Sequence, residues 1–139
     1  MMSAMLTTAL LAAAVIDADP MVPGALGADL YEVERTIIRR TNEERAAHGL
    51  APLTIDPSLV TTARGHCTWM ATNRIMQHTR LPVAENIAMG QPDAYEAVRT
   101  WMNSSGHRAN ILNRNWTRIG VAAYVAADGR IYYCQQFLQ

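Results

Sequence analysis

The C-terminal stretch restricts this chain more than any other part of it. Ile119, Val121, Ala123 and Val125 alternate with their neighbours, Asp128-Gly129 follows, and the run IYYCQQF then extends from Ile131 to Phe137. Period-two alternation on either side of an Asp-Gly pair is the pattern of an antiparallel β-hairpin. The upstream sequence reads as helices, with one small strand inserted midway. Helices first and a hairpin last give an α+β class.

The helical pattern starts at Asp29. Leu30, Val33 and Ile37 recur on one side, while Glu32, Arg35, Arg39 and Arg40 point elsewhere. Gly49 stops this helix near His48, whose place in the last turn complements the helix dipole. Asp56-Pro57 reads as an N-cap with proline at the first helical position. Leu59, Ala63, Cys67, Met70 and Arg74 then follow at spacings of three and four, which turns Cys67 to the core and His66 to a different, solvated face. Residues 79–83 form a loop, and Ala84 to Met89 form a short strand ended by Gly90-Gln91-Pro92. Asp93 opens a third helix with Val98, Trp101 and Met102 on its apolar side, and Ser105 caps a short fourth helix through Leu112.

A length of 139 residues argues for one domain. Twelve acidic residues balance twelve basic ones, which gives no support for electrostatic nucleic-acid binding or for a polybasic membrane patch. Every basic residue is an arginine, which removes lysine chemistry such as Schiff-base formation. The first sixteen residues carry no charged side chain and are too short a run to span a bilayer comfortably. They predict a signal peptide over 1–18 and a Pro/Gly linker over 19–28, followed by the folded domain over 29–139. The mature chain is then secreted or held at the cell envelope, with no transmembrane span. In that setting the single pair Cys67 and Cys134 is most simply a disulfide, worth about 4 kcal/mol through the loop it closes. The alternative is two buried thiols.

Four side chains stand out for chemistry: His78, Glu85, Glu96 and His107. Imidazoles and carboxylates suit a divalent metal or an acid–base site. Each also has a plainer reading. His78 ends the second helix, Glu85 points outward from its strand, and Glu96 completes a capping box with Asp93. His107 falls at the second position of its helix, where the dipole keeps an imidazole neutral. No HExxH and no GxSxG elbow is present.

Taken in order, TNEERAAHGLAPL, ARGHCTWMATNRIMQH, AENIA, WMNSSGHRANIL, RIGVAAY and YYCQQF resemble the CAP superfamily. This family comprises the cysteine-rich secretory proteins, antigen 5 and pathogenesis-related protein 1, and its module is also called the SCP domain. The resemblance runs from about Leu30 to Phe137 and is nearest to the short bacterial extracellular branch. It implies a three-layer α-β-α sandwich with a small, mainly antiparallel sheet. It also implies a cleft holding a His-Glu-Glu-His tetrad, which falls on His78, Glu85, Glu96 and His107. In the family the two histidines can hold zinc or a similar divalent cation, with the glutamates near its water. Ala84 departs from the usual glycine before the strand glutamate, and the eukaryotic GHYTQ-type signature is absent. The leading expectation is an exported binding module for an unidentified ligand, a lipid or cell-envelope component among the candidates. The alternatives are a metal-dependent hydrolase of peptides or esters, with Glu85 or Glu96 as base, and a sterol- or lipid-binding envelope protein.

Overall fold

The computed structural model describes residues 29–139; the expected signal peptide over 1–18 and linker over 19–28 lie outside them. The elements run α1 (Glu32–Ala47), β1 (Thr54–Ile55), α2 (Pro57–Asn73), β2 (Ala84–Met89), α3 (Ala94–Met102), α4 (Ser105–Ile111), β3 (Arg118–Val125) and β4 (Ile131–Leu138). Three of the local signals act where they were read. Gly49 takes φ +71° just after α1, which only glycine adopts without strain. The Asp56 carboxylate accepts from the amides of Ser58 and Leu59 at the start of α2. Asp93 does the same for the amide of Glu96.

The hairpin forms as expected, with Gly129 at φ +84° in its turn. The sheet order is β1-β3-β4-β2, antiparallel except for β1, which runs parallel to β3. Strand β1 was not foreseen. Two residues cannot display a period, and Thr54 joins only because β3 lies there to receive it.

Strand β4 is central, and both of its faces are covered. Tyr133 and Phe137 pack with Ile37, Ile38, Val98, Trp101, Ile119 and Val121 in the core beneath α1 and α3. Tyr132 and Cys134 pack with Ala63, Cys67, Met70, Ile87 and Ala122 beneath α2. The result is a helix-sheet-helix sandwich with one apolar core on each side of the sheet. Gly120 sets the approach of α2. A Cβ placed there would lie 2.2 Å from the Leu59 carbonyl carbon and 2.4 Å from the Val60 amide nitrogen. Those are backbone atoms, so no side-chain rotation relieves the clash.

Two expectations are corrected. The N-cap of α4 is Ser104 rather than Ser105, and its hydroxyl makes no capping bond, which moves His107 to the third helical position. Cys67 and Cys134 are two free, buried thiols in place of the expected disulfide. Each thiol has its own acceptor: Cys67 Sγ donates to the Tyr132 carbonyl (2.9 Å) and Cys134 Sγ to Glu85 Oε2 (3.3 Å). Burial pushes the Cys67 thiol up to about 12 and the Cys134 thiol well above its ordinary value, so both stay protonated and unreactive.

The packing around Gly120 and the two thiols can be tested separately. Gly120→Ala drives α2 off the sheet and costs at least the about 1–3 kcal/mol typical of overpacked cores, read as a lower urea midpoint. Intact mass after iodoacetamide treatment, with no reductant, shows no label on the native protein and two labels once it is unfolded.

Candidate functional site

The site forms at β2, the edge strand of the sheet. Residues along β2 alternate, so Glu85 faces the α2 side and Asn86 the α1/α3 side. A carboxylate with only 7% of its residue surface exposed is costly unless its oxygens are satisfied. Four donors converge on Glu85. Oε1 accepts from His78 Nδ1 and the Thr79 amide, both at 2.9 Å. Oε2 accepts from Gln136 Nε2 at 2.9 Å and from the Cys134 thiol at 3.3 Å. Burial pushes the Glu85 carboxyl upward, but bonds from Gln136, the Thr79 amide, His78 and Cys134 outweigh it and hold the group below its ordinary value. Glu85 is therefore an inward-pointing carboxylate, ionised at neutral pH.

Two imidazoles, His78 and His66, lie against this anchor, and a third, His107, lies near His78. His78 lies in the loop after α2, its side chain 60% exposed. Its Nδ1–H is committed to Glu85, which leaves Nε2 as the ring nitrogen outside this bond. His107 reaches the same region from α4. Burial, and then the proximity of His78, hold its pKa below the ordinary imidazole value, so it is neutral near pH 7. Its Nδ1 is buried and has no hydrogen-bond partner. His66 is the residue that pattern reading placed wrongly. It is not solvated: its side chain is only 11% exposed. Its Nε2–H donates to the Gln77 carbonyl at 2.7 Å and lies 3.9 Å from Glu85 Oε1, while its ring stacks on Trp69 at 5.7 Å. The loop between α2 and β2 folds back over this helix face, which helical periodicity alone cannot reveal.

Asn86 and Asn110 hold the short helix α4 against β2. Asn86 Nδ2 donates to the His107 carbonyl (3.1 Å) and to Gln135 Oε1 (3.1 Å). Asn110 Nδ2 donates to Asn86 Oδ1 (2.9 Å) and to the Glu85 carbonyl (3.2 Å). Arg45, fully buried, donates to the carbonyls of Ile111 and Asn113 at the far end of α4. These contacts set where His107 sits relative to Glu85 and His78. Asn86 and Asn110 belong to the stretches AENIA and HRANIL, so they lay in view in the sequence without any sign of their role.

Glu96 does not join the group. Its carboxylate binds Arg99 one turn along α3, at 2.5 Å and 3.1 Å, and no hydrogen bond links it to His78, Glu85 or His107. The capping box expected with Asp93 is only half made: Asp93 accepts from the Glu96 amide, but the Glu96 carboxylate turns to Arg99, an i+3 neighbour on the same helix.

Comparison with known proteins identifies the family. The model of the CAP, or cysteine-rich secretory protein, family matches residues 38–137. The chain belongs to this family. Its relatives include bacterial CAP/SCP proteins. It is 38% identical over 122 residues to YkwD, an uncharacterized Bacillus subtilis protein, covering 76% of this chain and 46% of that one. An extracellular SCP-domain protein of Bacillus anthracis is similar at 27% identity with a TM-score of 0.69, covering 81% of this chain and 45% of that one. An outer surface protein of Borrelia burgdorferi shares the fold with a TM-score of 0.71 at 21% identity, covering 79% of this chain and 94% of that one. The chain spans less than half the length of the Bacillus relatives it matches.

A lowered native pKa means that Glu85 contributes stability above the ordinary carboxylate value of 4.5 and loses it as pH falls through the lower native value. Glu85→Gln removes that contribution and sets an amide NH2 against existing donors. Urea unfolding between about pH 3 and 7 should show the variant about 1–3 kcal/mol less stable at neutral pH, with the difference narrowing toward the acid end.

Proposed function

We propose that this CAP domain is a divalent-metal-binding module acting outside the cytoplasm, with His78 and His107 as the metal-facing imidazoles. The observation that carries the reading is the 2.9 Å bond from His78 Nδ1 to Glu85 Oε1. A histidine that ligates through one ring nitrogen commonly donates the other N–H to a carboxylate, which fixes the ring and raises its basicity. His107 supplies a neutral imidazole whose Nδ1 lacks a partner. Zinc or a similar borderline cation suits such donors. Among the described residues no group of three or more His, Cys, Asp or Glu side chains is arranged to hold an ion. A centre built on two imidazoles leaves its other positions to water or to an incoming ligand, which favours binding over a closed structural role.

A metal-dependent hydrolase would need a carboxylate free to take a proton from water. Glu85 already accepts from four donors, and Glu96 is bound to Arg99. Neither carboxylate is placed as a general base, so the binding reading is the one carried forward. Its extracellular setting accords with the Bacillus anthracis relative, and no helix among the described residues is long and apolar enough to cross a membrane.

Calorimetric titration of zinc into chelator-stripped protein tests this directly. One site is expected in the parent, lost in the His78→Ala, His107→Ala double variant. Glu85→Gln weakens it by about 10–100-fold, as for other carboxylates behind a ligating histidine. Equal zinc uptake by the parent and the double variant removes the metal centre.

A further inference from the structure

Beside the imidazoles lies a cleft of which the metal reading uses only His78. It has a volume of about 270 Å³ and is lined by His66, Trp69, Gln77, His78, Thr79 and Arg80. We propose that this cleft binds a pyranose that carries a carboxylate, with Trp69 against the sugar ring and Arg80 on the acid.

Three observations favour this chemistry. Trp69 is 42% exposed, unusual for an indole, and its ring is held nearly parallel to that of His66, with 14° between the planes. A fixed, half-open indole offers a flat apolar plate for the C–H face of a sugar, and its N–H end tolerates water. Arg80 lines the same cleft and makes no ion pair or hydrogen bond among the described residues, so its guanidinium fork is available for a carboxylate. No acidic side chain lines the cleft to compete for it. The nearest carboxylate, Glu85, lies behind His66 and His78, its oxygens occupied by internal donors. The volume falls just below the range for drug-sized ligands and suits one ring with a short arm. The exposed Gln77 side chain supplies a donor and an acceptor for hydroxyl or acetamido groups. The cleft shares His78 with the proposed metal centre, but sugar binding does not depend on the metal.

N-acetylmuramic acid and N-acetylglucosamine are suitable probes, because they share a ring and differ by an ether-linked lactyl carboxylate. Each is titrated into chelator-stripped, ¹⁵N-labelled protein, following the indole N–H signals of Trp69 and the buried Trp101. The acidic sugar should move the Trp69 signal and leave Trp101 in place. N-acetylglucosamine should bind about tenfold more weakly, the usual consequence of losing one charge-assisted pair. Arg80→Gln, at an exposed position, should keep the native far-UV spectrum and lower affinity for the acidic sugar by about the same factor. Equal affinity for the two sugars, equal affinity for lactate alone, or an unmoved Trp69 signal overturns the proposal. Sugar binding in a protein that takes up no zinc leaves this proposal standing and sinks the metal centre. Zinc uptake without sugar binding does the reverse.

Discussion

Gln135 and Gln136 are adjacent on the central strand β4, so their side chains leave the sheet on opposite faces, and neither reaches water. Two buried amides in one strand require a polar network on each face, because an unmet donor or acceptor there costs about 1–3 kcal/mol. The structure meets both demands through the neighbouring strand. Gln136 stands opposite Glu85, and Gln135 opposite Asn86. On the α2 face, Thr62 donates to Gln136 Oε1, and Gln136 Nε2 donates to Glu85. On the α1 face, Gln135 Nε2 donates to Thr41, and Asn86 donates to Gln135 Oε1. The site is where these two networks reach the edge of the sheet.

That arrangement accounts for how the histidines are held. One network ends at Glu85, which orients His78. The other ends at Asn86, which fixes the backbone of His107 with help from Asn110. A one-residue slip of β2 against β4 would exchange the two faces and destroy both networks together. Correct pairing of these strands and correct assembly of the site are thus a single requirement. The carboxylate at the centre works as an acceptor for internal donors, which suits a rigid binding surface.

Much of the fold was legible from local chemistry. Gly49, the Asp56-Pro57 cap, the Asp93 cap and the Asp128-Gly129 turn each act within a few residues, and each does what its type requires. The site was only partly legible. The family resemblance singled out His78, Glu85 and His107, and the fold brings these three into one region. Glu96 was drawn away by Arg99, and His66 was misplaced because the loop that covers it comes eleven residues later, at Gln77. The expected disulfide failed for a similar reason. Counting cysteines says nothing of the acceptors that Tyr132 and Glu85 offer to each thiol.

The sequence by itself determined the order of the helices and the three longer strands, the hairpin, the Asp56 and Asp93 caps and the family, because each is written in short-range periodicity or in blocks that survive in order. The tertiary structure alone decided which polar side chains face inward and what satisfies them. The stretch IYYCQQF reads as an ordinary strand, and nothing in it announces that both glutamines are buried. Only when helices cover both faces of β4 does water leave, and each buried amide and carboxylate must then find its partner across the sheet.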